Sequence, residues 1–291
     1  MRTLVLALSL CVTWTSAAWG QKPVSPSRPP ARSLSELIQV IRSPAHSVDR
    51  TRAAEEAAGF GRNAVEPLCE LLRDEDSAIR MSVLLAFMRM GPEAEAAVPW
   101  LIEIAANTNQ DLRTAAIDAL GAIGPGGAKA VPALKSVISS DKGEQRQKAL
   151  NALALIGSSD ARASLEQAFQ QGSPELRVAV LKALENSPQT TDALMPMLVG
   201  EFTRGNSPIG DHLLGLMILA PEAAVRSLIE SLASERMVSR RRAAMALCRP
   251  RLARAAPSAV PVLTEILSDS DPVSRFWAVK ALGAIGSPAY I

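Results

Sequence analysis

Aromatic side chains are scarce, at 3% of the 291 residues, with a single tyrosine. That scarcity argues against a β-sandwich, whose strands favour rings and β-branched residues. It also leaves too few rings for stacking on single-stranded nucleic acid. Histidine occurs twice, as His46 and His212, and neither precedes a glutamate or forms an HxH or HExxH pattern. With no CxxC either, the chain offers no recognisable metal site. Three cysteines cannot build the disulfide framework of a small secreted domain. No GxSxG elbow is present, and no cysteine has an evident histidine partner. Carboxylates such as Glu55 and Glu56 lie on a polar helix face. The run Gly124-Pro125-Gly126-Gly127 lacks the Lys-Ser/Thr of a phosphate-binding loop and reads as a turn. Nor does one sign of charge dominate: 31 basic residues face 29 acidic ones, a net +2. A chain this close to neutral has no global pull towards nucleic acid. No catalytic residue, cofactor or metal is expected.

What the chain does have is Ala and Leu. Hydrophobic residues make up 48% of it, a profile that suits closely packed helices. Arg2 followed by the apolar run Leu4–Val12 and the small residues Ala17, Ala18 and Gly20 reads as a signal peptide over residues 1–20, cleaved before Gln21. The run falls short of the roughly 20 residues a spanning helix needs, and an uncleaved anchor is the alternative. Cys11 follows the bulky Leu10, which argues against lipidation. Cleavage would leave 30 basic against 29 acidic residues, and would send the chain to the periplasm or outside the cell. Residues 21–32, QKPVSPSRPPAR, form a Pro-rich linker.

From residue 33 onward the sequence repeats itself. AVEPLCELL from Ala64, AVPWLIEIA from Ala97, AVPALKSVI from Ala130 and AVPVLTEIL from Ala259 align, with weaker copies from Arg162, Ala193 and Ala224. Their matched leucines, Leu68, Leu101, Leu134, Leu165, Leu198, Leu228 and Leu263, recur every 30 to 35 residues, and Leu37 begins a degenerate first copy. Each copy continues into a second apolar segment such as DLRTAAIDALGAIG, in which Leu112, Ala116, Ala119, Leu120 and Ile123 share one helical face. A glycine closes that segment, as at a helix C-terminus. Pro99, Pro132 and Pro261 sit where a helix begins and a missing N–H costs little. One unit is a helix–turn–helix hairpin that must stack on its neighbours to bury its apolar face. Cys69 and Cys248 lie about five units apart, too far to bridge, so both read as buried free thiols.

The pattern AVPxL…DxxVRxxAxxALGxIG resembles HEAT repeats, in the short form named after phycobilisome lyase subunits. The resemblance covers residues 33–291 and implies an all-α solenoid of about eight stacked hairpins. It implies a binding scaffold rather than a reaction, with an enzyme or enzyme subunit of the bilin-lyase kind as the alternative. The HEAT-like deoxyhypusine hydroxylases hold iron on His-Glu pairs, which this sequence lacks.

An arginine stands seven residues before the inward Leu or Phe of each second helix: Arg80, Arg113, Arg146, Arg177, Arg240 and Arg275, interrupted at Ile209. The resemblance implies an Asp–Arg ladder between adjacent units, and Asp74 with Arg80 and Asp269 with Arg275 match its six-residue spacing. The other reading is a row of cations facing an anionic partner. Five residues further on, Leu85, Asp118, Asn151, Lys182, Met245 and Lys280 share no chemistry, a mixed surface that suits a protein partner better than a repetitive polymer. Residues 226–254 gather Arg226, Arg236, Arg240, Arg241, Arg242, Arg249, Arg251 and Arg254 against Glu230 and Glu235. Arg236, Arg240–Arg242, Arg249, Arg251 and Arg254 are therefore the candidate contacts for an acidic protein segment, a polyanion or anionic headgroups; a solvated face is the plainer reading. Trp100 and Trp277 fall on different units and read as core. The sequence stops where another AVPxL helix would begin, so that end is expected either to self-associate or to be covered by Tyr290 and Ile291.

Overall fold

A computed structural model describes residues 32–43, 47–106, 109–141, 143–205 and 208–286. The signal segment, the linker up to residue 31, His46, Asn107, Tyr290 and Ile291 lie outside the described residues.

The described chain is α-helical and contains no strand. Helices α1 (Leu34–Arg42) and α2 (Ser47–Ala58) form the first hairpin, and α3 (Arg62–Leu71) with α4 (Ser77–Met90) the second. Then come α5 (Val98–Ala105) and α6 (Gln110–Ile123), α7 (Val131–Ser140) and α8 (Glu144–Ile156), and α9 (Ser159–Gln171) and α10 (Pro174–Leu184). The series continues with α11 (Pro188–Arg204) and α12 (Gly210–Leu219), α13 (Pro221–Leu232) and α14 (Met237–Leu247), a short α15 (Pro250–Ala255), and α16 (Val260–Ile266) and α17 (Pro272–Ile285).

Local chemistry sets the helix ends. Ser33 and Glu36 form a reciprocal capping box on α1. Asp76, Asn109, Ser158, Ser173 and Asp271 accept N–H bonds at the starts of their helices. Pro99, Pro132 and Pro261 fall in the first turn, as expected. Gly124 closes α6 at φ +67°, a conformation that disfavours side chains. The run after it is more than a turn: Gly124–Ala130 winds into a 3-10 segment that leads into α7. A Cβ on Gly127 would lie 2.9 Å from the Leu120 carbonyl oxygen, so only glycine permits that approach.

The second helices stack in a row, α2 on α4, α4 on α6, α6 on α8, α8 on α10 and α10 on α12. Their shared seam is the core. Ala119, Leu120, Leu153 and Phe87 are fully buried along it, each large side chain contributing about 1.5–3 kcal/mol. Beyond α12 the row shifts: α14 packs on α11 and α13, and α17 packs on α14. Ile209, which interrupts the arginine series, sits at this step.

Candidate functional site

The ladder arginines run along the edge where each second helix begins, and three of the six reach forward to an acid of the next unit. Arg113 meets Asp141 at 2.5 Å, Arg240 meets Asp269 at 2.6 Å and Arg177 meets Glu201. Arg50, which the sequence pattern does not mark, meets Asp76 at 3.2 Å. The six-residue pairs are not formed. Asp74 instead accepts the N–H of Asp76, and Arg275 donates to the carbonyls of Asp269 and Ser270 at 2.7 and 3.1 Å. Asp269 turns away from its own helix towards Arg240 of the preceding unit, and in the second hairpin it is Asp76, not Asp74, that reaches back to Arg50. Arg146 donates to the Ile138 carbonyl. Arg80 has no side-chain partner among the described residues.

The arginine cluster is not a single free patch. Arg240 is a ladder residue. Arg241 grips the Asp271 carboxylate at 2.5 and 2.6 Å, and Arg242 donates to the Phe202 carbonyl at 2.7 Å while lying 4.6 Å over its ring. Arg242 thereby ties α14 to α11 where the row of second helices steps. The triplet is committed to internal structure, whereas Arg226, Arg236, Arg249, Arg251 and Arg254 are exposed. The Arg241 guanidinium, with capping bonds from Val273 and Ser274, holds the Asp271 carboxyl well below the usual carboxylate range. The Asp271 N–H and then Arg240 lower Asp269.

A different surface stands out on α17. Four residues past the ladder position, Ala54, Leu84, Ile117, Leu150, Leu181, Leu213 and Ala244 are all fully buried. Val279 holds the same position in α17 and is 59% exposed, beside Phe276 at 51% and Val273 at 40%. A Cβ on Gly121 would press on Ala152 at 3.0 Å, while one on the equivalent Gly283 meets nothing within 4 Å. The α17 face thus has the polarity of a helix-packing surface, with Lys280 beside it and no helix on it among the described residues.

The HEAT-repeat profile matches residues 34–121, 93–154 and 223–291, together more than half of the chain. The protein belongs to the HEAT-repeat family. Similar solved structures include an engineered protein (20% identity, 87% of this chain and 78% of that one, TM-score 0.44). The karyopherin Kap121p, bound to the extreme C-terminus of the phosphatase Cdc14p, is 13% identical over 87% of this chain and 33% of its own, with a TM-score of 0.45. Human deoxyhypusine hydroxylase is 22% identical over 87% and 95%, with a TM-score of 0.38. These likenesses carry no argument about function. No curated protein sequence matches the chain significantly.

Within this HEAT stack, the remaining candidates fall in place. Cys69 is buried and free, its thiol pushed up to about 12 by desolvation and then by Glu66. Cys248 is only half-buried; burial raises it too, and its Sγ donates to the Ala244 carbonyl. His212 is exposed on α12. Trp277 meets Phe276 edge-on at 5.3 Å. Trp100, like Trp277, is partly buried and packs against the core, and the Arg73 guanidinium lies 4.3 Å over its ring. Nothing in the sequence marks that pair, because Arg73 and Trp100 belong to neighbouring units.

Proposed function

We propose that this HEAT-repeat protein is an exported scaffold that binds a protein partner through the outer face of α17. HEAT repeats generally serve as protein-interaction scaffolds. The observation that carries the reading is Val279, exposed at the position which every preceding second helix buries, with Phe276 and Val273 exposed beside it. A contiguous exposed apolar surface of this kind favours a protein interface over solvent. The occupant that fits is a helix with a small-residue face, since Ala152 and Leu155 are what Gly121 meets in the inner stack. An acidic residue on that helix would answer Arg275 and Lys280, as Asp141 answers Arg113. A second copy of the chain docking end to end on this face is one such occupant. Export rests on the Arg2, Leu4–Val12 and Ala18-Trp19-Gly20 pattern alone.

The test is capture from an envelope extract on immobilised protein, with Val279→Asp beside the parent. Loss of the same retained protein with Val279→Asp supports the reading, and equal retention removes it. For export, mass spectrometry of the envelope fraction should find a mature chain that begins at Gln21.

A further inference from the structure

We infer that a notch between the second and third hairpins binds a carboxylate of an acidic protein segment. It is a separate surface from the α17 face. Its volume is about 210 Å³, and Arg73, Arg80, Trp100 and Glu103 border it over an apolar floor that includes Leu72 and Ile104. That space holds a carboxylate and its stem, given the roughly 30 Å³ that one water occupies in the liquid.

The break in the ladder is what makes this notch a site. Arg50, Arg113, Arg177 and Arg240 each have an acid from the next unit. Arg80 differs from them in having neither an acid nor a carbonyl partner among the described residues; its buried, unpaired Nε is shared with Arg50, Arg113 and Arg177. In sequence, positions 107 and 108, which follow α5 as Asp141 follows α7, are Asn and Thr, neutral residues that cannot supply a counter-charge. A half-buried guanidinium without an anion is costly, because its charge has lost water and gained nothing in return. A carboxylate from outside the chain completes the pattern that the other units complete internally, with the two-pronged geometry arginine favours.

The second cation is positioned for the same ligand. The Arg73 guanidinium lies 4.3 Å over the Trp100 ring, at the border of the same notch. No ion pair engages Arg73 among the described residues. Glu103, exposed at the rim, sets the charge selectivity. Two guanidiniums against one carboxylate leave the notch close to +1, matched to a single carboxylate rather than to the nearly doubly charged phosphate of a phosphopeptide.

The test uses the full chain and two fluorescein-labelled probes, acetyl-triglutamate and acetyl-triglutamine, read by fluorescence anisotropy with thermal melts alongside. The glutamate probe should bind at least about tenfold more tightly than the glutamine probe. Arg80→Gln should abolish that preference while melting close to the parent, because no internal ion pair is lost. Arg80→Lys should retain only part of it, since a point charge replaces the fork. Arg73→Gln should weaken it about threefold, and gives the same reading should Arg80→Gln fail to fold. Unlabelled glutarate should displace the probe better than inorganic phosphate. A preference that survives Arg80→Gln, or that disappears with Arg236→Gln/Arg251→Gln instead, overturns the assignment. So does equal binding of the two probes, or stronger displacement by phosphate.

Discussion

Arg241 and Asp271 meet through two parallel bonds, Nε to Oδ2 at 2.6 Å and Nη2 to Oδ1 at 2.5 Å, thirty residues apart in sequence. The same carboxylate caps α17 by accepting the N–H groups of Val273 and Ser274 and the Ser274 hydroxyl. One side chain therefore starts the last helix and fastens it to α14.

That double duty gives a pH dependence. The folded-state pKa of Asp271 is depressed, so its contribution is present above the ordinary value of about 3.9 and is lost as pH falls through the lower folded value. Asp269, depressed by the Asp271 N–H and Arg240, acts in the same window. Asp271→Asn should lower the melting temperature at pH 7 and flatten the loss of stability below about pH 4. Thermal melts of both chains across that range check it.

The ladder is expected to be energetically uneven. Arg113→Gln strands the half-buried Asp141 and should cost about 1–3 kcal/mol. Chemical denaturation of Arg113→Gln, Asp141→Asn and the double variant measures the coupling. A double variant as unstable as the two single losses combined would mean that the pair does not interact.

Ala119 is fully buried in the seam that α6 shares with its neighbours. Ala119→Asp places an uncompensated charge there and should cost more than about 4 kcal/mol. A denaturation midpoint equal to the parent's would show that this face is not the core.

The cysteines should be chemically quiet. With its thiol pushed up to about 12, Cys69 carries almost no thiolate at pH 8 and should resist iodoacetamide in the folded protein. Cys248, half-buried, should react slowly, and both should label once the chain is unfolded. Peptide mapping by mass spectrometry distinguishes the two positions.

The helical stack was legible because each unit repeats its leucines, prolines and closing glycines at a near-constant period, and the period alone dictates the stacking. Pairing across units was less legible. Arg50 escaped the arginine series because Ala57 stands where the later units carry Leu or Phe. The spacing of Asp74 to Arg80 and of Asp269 to Arg275 matches a ladder between adjacent units, but a one-dimensional spacing does not record which arginine a loop carboxylate turns to: Asp269 turns to Arg240 of the unit before. The same limit applies to Arg240, Arg241 and Arg242. Their clustering in sequence suggests an open patch, while successive helix positions point them at three different targets: Asp269, Asp271 and the Phe202 carbonyl. The exposed α17 face could be anticipated only in outline, because exposure depends on what does or does not pack on a helix.

The measurement that bears most directly on the scaffold reading is capture from a native envelope extract by the parent and by Val279→Asp. An exposed valine contributes little to folding, so the variant should melt within about 2 °C of the parent. The account predicts a specific protein, or a second copy of this chain, retained by the parent and lost by the variant. Equal retention by both, or no retained protein at all, would contradict it.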